Sequence, residues 1–387
     1  LTDLHTMWWP LMQPTITDTD KKKLVDFIYS TDKYTCGNKV KEFEDDWSEW
    51  LGSKFSLYVT SGSTANLLLM ASIKELYEIP DGSKVLVPAC TWVTNVSPVF
   101  QVGLEPVFCD IDLERYSFNL DTLPEEDIRI VFITHLLGIN SPVEALKRKY
   151  PNAIFLEDIC ESHGVKGPNG MKRGSTGLGS TFSFYYGHHM TTIEGGMIST
   201  DNELLYELMK IKRSHGMARL LSPKFYDEAI QKNPDIDPSF LFLTDGYNFR
   251  NTELNAVLGI EQLKRLDSHI DIRRKNFDHF MKRIDPEHFY IPYNDPGNSS
   301  FVFPFVCKQP GDMIKLKSIF NELGIEYRPI VAGNLLLHPF LKKWKDTVKV
   351  PNAEILNNNG VYIGNNQFIT EEMIDETFKH IKKIFIT

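Results

Sequence analysis

Four separated stretches of this 387-residue chain carry residue types that could do chemistry. The densest runs Thr181-Phe-Ser183-Phe-Tyr-Tyr-Gly187-His188-His189-Met-Thr-Thr-Ile-Glu194-Gly195-Gly196. An imidazole, with an unperturbed pKa near ~6.5, is a competent proton acceptor at neutral pH, and His188 and His189 contest that role. The stretch Phe155-Leu-Glu-Asp158-Ile-Cys-Glu161-Ser-His163-Gly ends an apolar run on carboxylates. Burying a carboxylate is costly unless something positive sits against it. Asp158 therefore either meets a cation, such as a protonated ring nitrogen, or caps a helix. In Ser61-Gly62-Ser63-Thr64-Ala65-Asn66, small residues stand where a strand gives way to a helix. Free backbone N–H groups and hydroxyls at such a helix start can hold an anion, although a plain turn would look the same. Pro88-Ala-Cys-Thr-Trp92 sets an indole just past a strand, as a ring-stacking platform or as a core or lid residue. The loop histidines His163 and His215 either face the same cleft or are incidental.

These stretches must be held by a framework, and the apolar patterning supplies one. Val85–Pro88, Pro106–Asp110, Ile128–Thr134, Ile154–Glu157, Thr181–Tyr185 and Met197–Thr200 read as short buried strands. Helical patterns lie between them at Ala65–Leu76, Thr91–Gln101, Pro142–Tyr150 and Asn202–Lys212. This alternation predicts an α/β fold with a mostly parallel sheet under helices on both faces. Ligands of such sheets sit at the carboxyl ends of the strands, where all four stretches fall. A long helical pattern from Asn251 to about Ile284 could link two domains, a large one over 1–266 and a small α+β one over 267–387. In the latter, Phe301–Cys307 and Glu326–Ile330 read as strands. A final amphipathic helix from Thr370 shows Met373, Phe378, Ile381 and Phe385 on one face.

Composition removes several classes of function. A net charge of −9 argues against a nucleic-acid or anionic-membrane partner. No stretch approaches the roughly 18 uninterrupted apolar residues of a spanning helix. The opening LTDLHTMWWP lacks the basic-then-apolar layout of a secretory signal. Cys36, Cys90, Cys109, Cys160 and Cys307 are scattered, which predicts no metal site or disulfide framework and suits a reducing cytoplasm.

Together and in this order, the four stretches resemble the sugar-nucleotide aminotransferase family (DegT/DnrJ/EryC/StrS type) of fold type I pyridoxal-phosphate enzymes. The resemblance runs from about Pro14 to the C-terminus and implies an aspartate-aminotransferase-like fold. Family members carry S-F-x-x-x-K, five residues, then E-G-G. Here the spacing from Ser183 to Glu194 is kept, but His188 stands where the lysine belongs, and no lysine lies between Lys172 and Lys210. The resemblance implies that Gly62, Ser63 and Ser183 hold the cofactor phosphate, Trp92 stacks on its ring and Asp158 pairs with the ring nitrogen. Glu161 stands where aminotransferases usually have glutamine. Asn248, in Gly246-Tyr247-Asn248-Phe249-Arg250, is expected to reach a phosphate across a homodimer interface.

An imidazole cannot form the stable imine that the family lysine makes, yet it can still move protons. The resemblance therefore implies work with pyridoxal 5′-phosphate and pyridoxamine 5′-phosphate held without a covalent bond. It also implies loss of a hydroxyl from a keto sugar rather than a new amine. A subgroup of the family, the 3-dehydratases of 4-keto-6-deoxy sugar nucleotides, is similar here and at Arg328-Pro-Ile-Val-Ala-Gly333-Asn334. Its cluster-bearing branch carries four cysteines after E-G-G, whereas Met197–Asp245 has none, so no iron–sulfur cluster is expected. The resemblance implies a GDP-linked 4-keto-6-deoxymannose as substrate and glutamate as amino donor. His215, Arg219, Arg328 and Asn334 are the candidates for holding the substrate, since guanidinium forks suit phosphates and sugar hydroxyls.

Overall fold

A computed structural model describes residues 8–175 and 177–385. Helices α1 (Asp18–Ser30) and α2 (Asn38–Leu51) lead into β1 (Phe55–Val59). Strands and helices then alternate through α3 (Gly62–Leu76), β2 (Lys84–Pro88), α4 (Ser97–Gln101), β3 (Glu105–Cys109), β4 (Ile130–Thr134) and α5 (Val143–Lys149). They continue through β5 (Ile154–Asp158), β6 (Gly179–Ser183) and β7 (Gly196–Thr200). The seven strands form one sheet in the order β1-β7-β6-β5-β4-β2-β3. Pairing is parallel from β6 to β3, while β7 runs antiparallel to both its neighbours. Every residue of β4, β6 and β7 is buried, as expected for strands covered on both faces.

Two elements differ from the apolar reading. Thr91–Gln101 is not one helix: a single 3₁₀ turn at Val93–Asn95 precedes α4. Pro98 has no N–H to continue a helical ladder back to Thr94, whose carbonyl instead accepts from the Asn66 side chain at 3.2 Å. Strand β6 lies two residues earlier than Thr181–Tyr185. Its first residue, Gly179, would place a Cβ 2.6 Å from Leu69 Cδ1, so α3 packs closely on the sheet at this point and a larger residue would have to displace the Leu69 side chain. An apolar count does not see a strand that begins on glycine and serine.

Helices α6 (Glu203–Lys212) and α7 (Pro223–Lys232) precede α8 (Glu253–Met281), a helix of 29 residues. Ala256, Ile260, Leu266 and Ile270 of α8 pack with Phe43 and Trp47 of α2, and Phe277 and Phe280 pack with Phe303 and Phe305. Residue 266 thus lies inside an unbroken helix that passes from one sheet to the other. The remaining elements are β8 (Phe289–Tyr290), β9 (Val302–Cys307), α9 (Pro310–Leu323), β10 (Tyr327–Pro329), α10 (Pro351–Asn359), β11 (Gly360–Gly364) and α11 (Glu371–Phe385). Their strands make an antiparallel sheet in the order β10-β11-β9-β8. Ile374, Phe378 and Ile381 of α11 close its core, while the Phe385 side chain and residues 1–7 lie outside the described residues. Trp9 returns to this small sheet, donating from its indole to the Gly364 carbonyl at 2.8 Å. Among the described residues, no helix is long and apolar enough to cross a membrane.

Candidate active site

The carboxyl ends of β5 and β6 and the start of α3 bring four of the expected residues together. Ser61 caps α3, its hydroxyl accepting from Thr64 N at 3.1 Å, which leaves the first-turn N–H groups of Gly62 and Ser63 for an outside acceptor. A Cβ on Gly62 would stand 2.7 Å from Ser183 Cβ and 2.9 Å from Cys160 Sγ. The end of β6 therefore abuts the helix start, and Ser183 faces the same anion cradle. Gly196 explains part of the E-G-G requirement: a Cβ there would lie 2.2 Å from the Ser61 carbonyl, so β7 supports the cradle only as glycine.

Asp158 ends β5, almost fully buried. One carboxylate oxygen accepts from Asn66 Nδ2 at 2.8 Å and Asn95 Nδ2 at 2.9 Å, and the other from Cys160 N at 2.9 Å. Thr181 Oγ1 donates to Asn66 Oδ1 at 2.6 Å, and Thr91 Oγ1 to Asn95 Oδ1 at 2.8 Å, so both amides are locked with their NH₂ groups toward the acid. Among the described residues no cation pairs with Asp158. A buried carboxylate held only by neutral donors suits a protonated ring nitrogen. Glu161, half-buried nearby, accepts from Leu137 N at 3.1 Å; burial, with Asp158 adding to it, pushes its pKa up to about 7. Trp92 leaves 52% of its surface exposed and free to stack. The residues present therefore fit a planar, phosphorylated pyridine cofactor.

Of the two adjacent histidines, His189 is fully buried, its Nε2 directed at the Ser299 carbonyl at 3.3 Å. His188 keeps partial solvent access, while its Nδ1 is enclosed without a partner. Burial, and secondarily the charge of Arg273, pushes the His188 pKa down to about 4, so the ring is neutral at pH 7 in the ligand-free chain. The lysines that flank this stretch are tied elsewhere, Lys172 to the Trp50 carbonyl at 2.6 Å and Lys210 to Glu207 at 3.0 Å.

The expected substrate residues come from other elements, and Tyr362 of β11 feels both Glu161 and Arg328. His215 and Arg219 are exposed on a segment following α6, and His215 adopts a left-handed φ of 64°. That segment pairs with exposed Asn248 through a bridge at Ser214. The Asn248 amide oxygen accepts from Arg250 of its own chain at 3.0 Å. Arg328 is exposed on β10, with Tyr362 of β11 directly across. Asn334 is buried, and its side-chain oxygen caps a 3₁₀ turn by accepting from Leu336 N at 3.0 Å. Residue-by-residue reading missed Asn66 and Asn95 as the clamp on Asp158. Asn66 lies inside the Ser61–Asn66 stretch and was the available signal for one of them.

The fold and this site define a class. The chain belongs to the DegT/DnrJ/EryC1/StrS aminotransferase family, whose model matches residues 15–382. It is 37% identical over 381 residues to the GDP-4-keto-6-deoxy-D-mannose 3-dehydratase of Yersinia pseudotuberculosis, covering 94% of this chain and 96% of that protein. Among solved structures it is similar to GDP-4-keto-6-deoxymannose-3-dehydratase in a histidine-to-asparagine mutant with bound GDP-perosamine. That match has a TM-score of 0.90 at 33% identity and covers 96% of this chain and all of the other. It is also similar to the same enzyme with a trapped PLP-glutamate geminal diamine, at a TM-score of 0.88 and 32% identity, covering 96% of this chain and 100% of that one.

Proposed function

We propose that this chain is a pyridoxal/pyridoxamine 5′-phosphate-dependent 3-dehydratase of a 4-keto-6-deoxy sugar nucleotide, with glutamate restoring the amine form of the cofactor. GDP-4-keto-6-deoxymannose is the substrate that the relatives support. The observation that carries this reading is a neutral His188 in the family lysine's place, beside an otherwise complete cofactor frame. When bound, the cofactor supplies the electron sink that lets a carbon–hydrogen bond and then a carbon–oxygen bond break.

The chain's residues bind, orient and move protons. The Gly62 and Ser63 N–H groups and the Ser183 hydroxyl receive the phosphate, Trp92 covers the ring face and Asp158 holds a proton on the ring nitrogen. Glu161, with its pKa near 7, can accept or donate a hydrogen bond at the ring's edge. His188 takes a proton from carbon and returns it, and anions bound at the α3 start would draw its pKa back toward neutrality. Lacking a lysine amine to capture the cofactor, the site releases the nitrogen as ammonia. Asn248 extends to the phosphate of a second copy, which makes the active form a homodimer. His215 and Arg219, on the segment paired with Asn248, follow it toward the partner's substrate, while Arg328 and Asn334 serve their own chain. The scattered cysteines suit a cytoplasmic enzyme.

The direct test supplies purified protein, cofactor, glutamate and GDP-4-keto-6-deoxymannose. The expected product is a 3-deoxy-4-keto sugar nucleotide, with ammonia and 2-oxoglutarate each formed in equal amount. No reductase or iron is needed, because glutamate provides the two electrons that the sugar gains. Product carrying nitrogen at the sugar's C4 would identify an aminotransferase. Bound cofactor with no turnover would identify a binding protein.

A second expectation concerns attachment. Borohydride treatment of the pyridoxal-phosphate form should leave no label on the polypeptide, and dialysis should remove the cofactor more readily than from a lysine-bearing family member. A reduced pyridoxyl group found by peptide mass spectrometry on any lysine would contradict this account of the site.

A further inference from the structure

Behind His188 lies a layer of enclosed nitrogen atoms. Arg273, on α8, is fully buried. Its Nη1 donates to the Phe301 carbonyl at 3.0 Å and to the Asn365 carbonyl, while Nε and Nη2 are enclosed without partners. Among the described residues no carboxylate pairs with it. The guanidinium carbon stands 5.9 Å from the centre of the Phe301 ring. The Phe301 ring in turn packs on His188 at 5.7 Å and on His189 at 5.3 Å.

His163 completes the layer. It lies edge-on to His188 at 6.3 Å and to His189 at 5.3 Å, with Phe182 and Phe184 stacked against it. Neither of its ring nitrogens makes a hydrogen bond of ordinary geometry, although the Ser183 backbone lies near enough to act on the ring.

A buried guanidinium without a counter-charge is costly, and arginine does not escape that cost by giving up its proton at neutral pH. Burial lowers the Arg273 pKa only to about 9. Its field falls on all three imidazoles of this layer, and on His269 as well; each is shifted toward the neutral form first by burial and further by Arg273. Among the described residues, the titratable groups facing His188 are Tyr185 and His189 on its own loop, His163 and Arg273, with no carboxylate among them.

We propose that Arg273 is a positioning residue for the reaction: from behind Phe301 it fixes where the His188 ring stands, and as an unpaired buried charge it keeps that ring unprotonated. The proposal rests on the dehydratase reading only for what the base then does. Through the Phe301 and Asn365 carbonyls, Arg273 also ties the small sheet to the wall behind His188.

The test is a pH titration by NMR of the full chain labelled at histidine Cε1, with and without pyridoxamine phosphate. The His188 signal is assigned by its loss in His188→Asn. In the unsubstituted chain without cofactor His188 should stay neutral to below pH 6, and pyridoxamine phosphate should raise its midpoint. Removing a neighbouring positive charge eases protonation, so Arg273→Met and Arg273→Gln should raise the midpoint by on the order of one pH unit. Arg273→Lys should leave it near its original place. The acid limb of kcat should move with the midpoint, while KM changes little. A merely structural arginine would lower the melting temperature in all three variants and leave the midpoint unmoved, which overturns the proposal. So does protonation of His188 at or above pH 6.5 in the unsubstituted chain without cofactor, whether or not any variant folds. Because the titration reads the chain and not the product, it fails separately from the sugar assay.

Discussion

His188→Asn is expected to cut turnover on the order of a hundredfold or more while leaving cofactor binding nearly intact. Asparagine cannot hold a proton reversibly near neutral pH, so proton transfer to and from carbon loses its carrier. The proposed cofactor contacts, by contrast, come from other elements: the α3 start, the end of β5 and Ser183. Steady-state rates with the sugar nucleotide and cofactor absorbance after gel filtration read the two properties separately. His189→Asn is the register control. That residue is buried against Ser299 and Phe301, so its replacement should lower stability more than it lowers kcat. If His188→Asn turns over normally and His189→Asn does not, the role belongs one residue later.

Asp158→Ala should weaken retention of pyridoxamine phosphate by roughly a hundred- to a thousandfold, measured by equilibrium dialysis. The substitution removes the counter-charge for a ring nitrogen and leaves the Asn66 and Asn95 amides aimed at an empty position. Breaking one side of a buried charged pair costs roughly 3–5 kcal/mol, and each 1.4 kcal/mol is about tenfold in affinity. Asp158→Asn keeps the shape without the charge. Its loss should be nearly as large, because a neutral amide cannot balance a pyridinium. Cofactor retention equal to that of the unsubstituted chain in Asp158→Ala would mean that the ring nitrogen is held elsewhere.

Much of the framework is legible in the residues because it is set by local, periodic physics. Apolar runs such as Ile130–Thr134 must be covered on both faces, and that forces strand–helix alternation and a mostly parallel sheet. The same reading fails where structure depends on a close approach that no period records. Gly179 opens β6 because Leu69 crowds it, and the 91–101 segment breaks because Pro98 cannot donate and Asn66 takes the freed Thr94 carbonyl.

Within the site, the sequence by itself determined the cast: a serine, a histidine and E-G-G at lysine-enzyme spacing, and an acid ending a buried strand. Those features follow from residue type and short-range order. Tertiary structure alone decided how the cast is set. The amides that clamp Asp158 lie 92 and 63 residues away from it in the chain. Spacing singles out His188 of the adjacent histidines, but only packing gives them different surroundings, since Ser299 and Phe301 bury His189 and leave His188 half-open. Arg273 stands on the buried stripe of α8 with Leu266, Ile270, Phe277 and Phe280, and only main-chain carbonyls from two other segments meet its charge there. The reason is physical: periodicity encodes which faces are apolar, but burial, charge and proton affinity depend on which distant groups arrive beside a side chain when the chain closes.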